Sequence, residues 1–399
     1  MPLRNAGFRL LALATLGSSI GTFLAAIALA VDVKDRTNSG LWVGGVLVVA
    51  WLPTLAVGLV FGPLLDRLER RKLMVGADVV RAAVFFALPF TASPAAIVVL
   101  AAVAGVASGF FRPAVYAGIP NLVPPEELPA ANAFLQTMEN GSWAIGPILG
   151  GVLTAAAGPH TAYWINGVSF VFSAVLIFRI PGRMLQSEAA LSRGHWRDLG
   201  DGFAAVRRSR LLLAVLFGWG VASFGVGGAN VAEVFLAKNT FHSGDFGYGL
   251  LYGAIGTGLV VGSMTSSSWL ARLGIARAYA VALAVMAVGF AGAAASPNVW
   301  VAAACCVVGG SGNGVAVACN YLLVQQGTTD DMRGRALTLV MSATLALTGA
   351  GYGIGGALLH TVDARWIWAG AACTYLVATV VGYVFASDAR SVAAVEPAH

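Results

Sequence analysis

The stretch GPLLDRLERRK, residues 62–72, decides how the rest of the chain is read. It sets six charged residues (Asp66, Arg67, Glu69, Arg70, Arg71 and Lys72) between two long apolar runs. Leu41 to Phe61 carries no charge, and Leu73 to Ala92 carries only Asp78 and Arg81. A water-soluble protein has no use for a short basic knot between two runs of bilayer length. A polytopic membrane protein does, because each cationic side chain resists translocation and pins its loop to the cytoplasmic face.

Composition points the same way. Of 399 residues, 58% are hydrophobic and 11% charged, with a mean hydropathy of +0.79. That is too apolar for an ordinary soluble domain and too long for one anchored helix. The net charge of +6 is spread over short loops, where it reads as orientation in a membrane rather than as a nucleic-acid surface. Cys305, Cys306, Cys319 and Cys373 lie inside apolar runs with no C-x-x-C spacing, so they are expected to pack rather than to hold a metal or a disulfide. No G-x-x-x-x-G-K-[ST] is present, so no ATP bound through a P-loop is expected; no cofactor is expected. The apolar run after Arg9 is longer than a signal-peptide core and other spans follow it, which predicts an uncleaved first helix.

Outward from residues 62–72, each stretch of roughly 20 apolar residues can cross a hydrocarbon core of about 30 Å. Helices are expected throughout, because lipid offers no partner for an open backbone amide. Twelve spans follow: 8–31, 41–61, 73–92, 95–117, 131–157, 162–180, 211–236, 247–271, 277–296, 299–322, 336–360 and 365–386. With both termini inside, 18 of the 24 Lys and Arg fall in cytoplasmic segments and four outside, leaving Arg81 and Arg112 within helices. Such asymmetry predicts cytoplasmic termini.

The chain also repeats at one offset. GPILGG (146–151) aligns with GYGIGG (351–356) at a shift of 205; the same shift sets LLDRLERRK (64–72) on WLARLGIAR (269–277) and GVASG (105–109) on GSGNG (310–314). Two parallel six-helix halves are therefore expected, 1–180 and 211–388, with a cytoplasmic linker 181–210 and a tail 389–399. Asp66 maps to Ala271 and Arg112 to Val317, so the charges are concentrated in the first half.

The fifth span, ANAFLQTMENGSWAIGPILGG (131–151), carries a polar stripe. At 100° per residue Asn132, Gln136, Glu139, Trp143, Gly146 and Gly150 share one narrow sector. A polar stripe faces lipid only at high cost, so it should line a cavity. Burying Glu139 costs several kcal/mol unless it is paired or protonated. It is the leading proton-coupling candidate, the alternative being a glutamate satisfied by Asn140 or by an arginine near a helix end. Asp78 and Arg81, one turn apart, are expected to form a local ion pair. Asp78 and Glu233 are further proton-coupling candidates; Glu233 and Asp32 read as lying near the outer end, within reach of water. Arg112 should reach a neighbouring helix or a carboxylate such as Asp66. Asn132, Gln136, Asn140, Trp143, Phe224, Tyr252 and Tyr321 are candidates for lining a substrate cavity. Phe110 and Phe111 could also stack on a lipophilic substrate.

The pattern G-x-x-x-D-R-x-x-R-R, formed here by Gly62, Asp66, Arg67, Arg70 and Arg71, resembles the signature loop between helices 2 and 3 of the major facilitator superfamily. Glu69 stands where that family has a glycine. Gly146, Pro147, Gly150 and Gly151 match the G-P-x-x-G-G core of the fifth-helix motif of its exporters. With NLVPPEELPAANA (121–133) and DDMRGRA (330–336), the chain resembles the branch of bacterial drug and secondary-metabolite exporters that holds macrolide and siderophore exporters. The resemblance implies an all-α integral membrane protein with the major facilitator fold: twelve transmembrane helices in two pseudo-symmetric six-helix halves. It implies gating by the signature loop, where Arg112 is expected to hold the Asp66 carboxylate by a charge-assisted hydrogen bond, and close packing at the fifth-helix glycines. It further implies a proton-coupled exporter in a bacterial plasma membrane, with a small-molecule substrate, protons and the lipid bilayer as partners and the monomer as the working form. A facilitator importing a small metabolite, and a transporter-fold receptor or scaffold without flux, are the alternatives. A membrane-embedded enzyme is disfavoured by the lack of H-E-x-x-H, G-x-S-x-G or paired intramembrane aspartates.

Overall fold

Apolar runs of this length bury their backbone amides only by coiling, and polar residues mark where each coil begins. Asn5 accepts from the Phe8 amide at the head of the first helix, and Asn298 accepts from Trp300 and Val301 at the head of the tenth, as N-caps do. The computed structural model describes residues 2–65, 68–185, 203, 206–328 and 332–393. Among them are twelve long helical segments: α1 (Ala6–Thr37), α2 (Gly40–Leu65), α3 (Arg70–Ala87), α4 (Pro94–Gly118), α5 (Leu128–Ala157), α6 (Pro159–Phe178), α7 (Arg210–Thr240), α8 (Gly244–Leu273), α9 (Ile275–Ala295), α10 (Val299–Gln326), α11 (Arg333–Leu358) and α12 (Ala364–Ala393). No strand occurs among the described residues. Ten helices contain stretches long and apolar enough to cross a membrane, and α2 contributes a shorter apolar stretch, Gly40–Pro53. The helix that falls short is α5, the one with the polar stripe.

Each expected span appears as a helix, most longer than its apolar run. Thus α1 continues to Thr37, α10 to Gln326 and α12 to Ala393. α5 starts at Leu128 with Pro129 in its first turn, where a missing amide costs nothing. α7 is interrupted by two π-helical stretches, Ala214–Trp219 and Leu236–Thr240.

The helices gather into two compact units. One holds α1–α6 with the opening turns of α8, Gly244–Gly253; the other holds α7, the remainder of α8 and α9–α12. In the first unit α1 packs on α5 and α6, α2 on α4, and α3 on α4 and α6. In the second, α7 packs on α11 and α12, and α9 on α10 and α12. Four of the five pairings of the first unit recur in the second with six added to each helix number.

The shift of 205 is visible in the contacts. A Cβ on Gly105 would meet the carbonyl oxygens of Val49 and Ala50 at 2.5 and 2.9 Å; one on Gly310 would meet that of Ile255, the counterpart of Ala50. Gly146 and Gly150 press on α1 at Ile20, Phe23 and Leu24, while Gly351 and Gly355 press on α7 at Phe224, Gly227 and Gly228. These crossings bring backbone against backbone, which only small residues permit. The two halves thus share one internal plan.

Candidate functional site

Where α4 passes α5 within the first unit, a charged cluster joins them. Arg112 and Tyr116 lie four residues apart on α4, hence on one face. Arg112 Nη2 donates to Glu139 Oε2 at 2.7 Å, and the Tyr116 hydroxyl donates to the same oxygen at 3.1 Å. The Glu139 side chain is 14% exposed and that of Arg112 is 54% exposed. Glu139 stands eleven residues into α5, about 16 Å along its axis. A carboxylate at that depth is tolerable because a charge-assisted bond compensates it. Of the two partners expected for a satisfied Glu139, Asn140 or an arginine near a helix end, the arginine is the one found. Asn140 instead accepts from Gln136 Nε2 at 3.4 Å.

The polar sector of α5 is divided along its length. Its glycine end is closed against α1, as described above, and Gly151 meets the backbone of Gly249 in the opening turns of α8. Next along, Trp143 Nε1 donates to the Tyr252 hydroxyl at 3.4 Å, the two rings edge to face at 6.2 Å. Beyond Glu139 the face opens: Gln136 is exposed and Asn132 half-buried, its amide returned to the Leu128 carbonyl. The structure therefore brings Glu139, Arg112, Gln136, Asn140, Trp143 and Tyr252 onto the helices that frame this face. Phe224, half-buried on α7, and Tyr321, exposed on α10, belong to the second unit. Phe111 is taken up elsewhere, in the packing of Arg81.

Asp78 and Arg81 pair directly one turn apart on α3, both buried. The Arg81 guanidinium lies between the rings of Phe111 (α4) and Phe170 (α6), 4.2 and 4.3 Å from their centroids. Two aromatic faces and one carboxylate hold this cation in an otherwise apolar setting. It reads as a strut joining α3, α4 and α6.

Glu233 departs from expectation. It was expected near water at the outer end of its span, yet its side chain is fully buried and neither oxygen has a hydrogen-bond partner among the described residues. The reason is packing: α7 lies against both α11 and α12 here, with Trp368 Nε1 donating to the Ala229 carbonyl at 3.0 Å and Asn230 to the Tyr352 hydroxyl at 3.5 Å. Asp32 is likewise buried; it accepts from Arg36 at 2.6 Å and from the Tyr163 hydroxyl at 3.0 Å. Arg36 also donates to the Thr91 carbonyl at 2.8 Å, so this cluster ties α1, α6 and the α3–α4 connection.

Of the signature loop, Asp66 and Arg67 lie outside the described residues, and Gly62 lies within α2. Arg70 Nη1 donates to the carbonyls of Ala117 and Leu185 at 2.8 and 2.9 Å, and Arg71 Nη1 to that of Ile180 at 3.5 Å. The loop arginines thus satisfy carbonyls at the end of α4 and just beyond α6, where cations are favoured. Glu69 sits in extended backbone at φ −64°, a conformation that needs no glycine. Its bond from Lys72 at 2.8 Å, reinforced by the charge of Arg71, holds its carboxyl below the usual carboxylate range.

Tyr116 was missed in the sequence, although the spacing R-x-x-x-Y on a helix was a signal for it. The pairing of Arg112 with Glu139 had no such signal, being a contact between helices. Among the described residues no group of three or more His, Cys, Asp or Glu could hold a metal ion.

The sequence profile of the family described as "Transmembrane secretion effector" matches residues 1–399. The transporter YkuC of Bacillus subtilis, described as an uncharacterized MFS-type transporter, is 27% identical over 279 residues, 63% of this chain and 64% of its own length. Macrolide efflux protein A of Streptococcus pyogenes is 27% identical over 208 residues, 50% of this chain and 51% of its own. The chain thus spans less than two thirds of the length of these curated relatives. A solved bacterial homologue of the iron transporter ferroportin superposes with a TM-score of 0.74 over 96% of this chain and 98% of its own, at 18% identity.

Proposed function

We propose, from the premise that the chain belongs to the transmembrane secretion effector family of major facilitator transporters, that it exports small lipophilic compounds in exchange for protons. The family makes it a multi-pass membrane transporter rather than an enzyme. Export rather than uptake is supported by the family description and by the efflux protein among its relatives. The fifth-helix motif of Gly146, Pro147, Gly150 and Gly151 supports it further. The charge asymmetry of the loops supports cytoplasmic termini in a bacterial plasma membrane, with the monomer as the working unit.

The observation that carries the coupling is the Arg112–Glu139 pair. A proton arriving at Glu139 neutralises the carboxylate and releases Arg112; departure of the proton restores the bond. The two states differ by one charge-assisted hydrogen bond between α4 and α5, worth about 1.5–3 kcal/mol. That is enough to shift a two-state equilibrium tenfold or more. Tyr116 keeps the carboxylate oriented, and Gln136, Asn140, Trp143 and Tyr252 form the neighbouring surface for a substrate with an apolar body and a few polar groups.

The direction of flux tests the reading. Inverted membrane vesicles holding the protein should accumulate a lipophilic dye when the interior is made acid, and a pump-deficient host should gain tolerance to such compounds. Dye loss from these vesicles under the same gradient would point to import. No flux with preserved binding would point to a receptor.

A further inference from the structure

Within the second unit, a groove of about 710 Å³ is lined by the C-terminal part of α9 and the N-terminal part of α12. Its floor and walls are small and apolar: Ala287, Ala291 and Ala294 from α9, Ala369, Ala372 and Cys373 from α12. Its mouth is not apolar, for Asp363 and Arg365 stand there beside Trp366. From the geometry we infer that this groove seats one membrane phospholipid, with an acyl chain along the alanines and the headgroup at Asp363 and Arg365.

Depth supports the assignment. Along α9 the groove runs back from Ala295 to Ala287, eight residues or about 12 Å; along α12 it runs from Arg365 to Leu376, eleven residues or about 16 Å. One leaflet of a hydrocarbon core about 30 Å thick is half that thickness. The groove therefore begins at the end of two membrane helices and extends about one leaflet inward, as a lipid tail does. The exposed Trp366 at the mouth sits where aromatic residues mark the membrane–water boundary.

Charge at the mouth selects the headgroup. Arg365 Nη1 donates to the Ala294 carbonyl at 2.6 Å, and the guanidinium lies 5.2 Å from the Phe241 ring centroid. These contacts pin the side chain at the rim. A guanidinium carries five N–H donors, so it can serve a phosphate as well. Asp363, two residues before it, caps the Arg365 amide at 2.8 Å and is itself exposed. A cation and an anion side by side fit a zwitterionic headgroup, phosphate on Arg365 and ammonium on Asp363, better than a purely anionic one. This inference rests on the membrane fold and is independent of what the protein exports.

Cys373 lines the groove and is exposed, which gives a direct readout. In wild-type protein in maltoside micelles, N-ethylmaleimide should alkylate Cys373, as located by peptide mass spectrometry. Added phosphatidylethanolamine should slow that alkylation at least several-fold, phosphatidylglycerol less, and inorganic phosphate not at all. Native mass spectrometry should find one phosphatidylethanolamine retained by wild type and lost from Ala291→Trp, which fills the groove; Arg365→Gln should retain it several-fold less. Equal alkylation with and without phosphatidylethanolamine would overturn the inference, and this arm needs no variant to fold. Protection by a lipophilic dye but not by phospholipid would also overturn it, assigning the groove to the transported compound.

Discussion

Charged residues within the spans of this protein keep different company, and the difference decides what each can do. Arg81 is enclosed by Asp78 and two aromatic rings, whereas Glu233 is enclosed by apolar packing with no hydrogen-bond partner among the described residues. Breaking a buried ion pair by removing one partner leaves an uncompensated charge and costs about 3–5 kcal/mol. Asp78→Asn should therefore lower the melting temperature of the purified protein substantially. Glu233→Gln strands no partner and preserves shape, so it should cost under about 1 kcal/mol. Thermal unfolding in detergent separates the two: equal losses would mean that burial, not pairing, sets the stability of these sites. Glu139 differs from both, because it is paired and lies beside a half-exposed Arg112. That combination suits the proton-exchange role proposed for it.

At the scale of the helix, close packing rests on glycine. Gly150 presses on the Leu24 backbone so tightly that an added Cβ would lie 2.5 Å from the carbonyl oxygen. Backbone cannot rotate away as a side chain can, so Gly150→Ala should cost about 1–3 kcal/mol by overpacking. Gly141, with open space where its Cβ would stand, should accept alanine without loss. A melting-temperature comparison of the two variants checks this, and similar values would mean the α1–α5 crossing adjusts freely. These crossings were legible in the sequence: glycine at matching offsets within apolar runs announces both the contact and the duplication. The Arg112–Glu139 pair was not, since its partners are 27 residues apart on separate helices and periodicity reports only which residues share a face. The burial of Glu233 was hidden for a related reason. α7 is close-packed by two other helices, and apolar composition alone does not tell a face turned to lipid from one turned to protein.

For the whole molecule the charge asymmetry fixes an expected topology, with the central linker inside and the α9–α10 connection outside. In a cysteine-free background, a membrane-impermeant thiol reagent added to intact cells should label Pro297→Cys and leave Ser192→Cys untouched. Pro297 is the better position because the neighbouring Asn298 caps α10; the reverse labelling would invert the protein in the membrane. Given that orientation, the proposed exchange would take a proton in from outside and substrate out from inside through Glu139. The most direct measurement compares wild-type protein with Glu139→Gln in proteoliposomes under an imposed pH gradient, acid inside, with a lipophilic dye outside. Only molecules inserted with their cytoplasmic side outward are driven to accumulate dye by this gradient. Wild type should concentrate the dye and release it when a protonophore is added, while Glu139→Gln binds the dye but accumulates at least tenfold less. Equal gradient-driven accumulation by the two proteins would contradict the account.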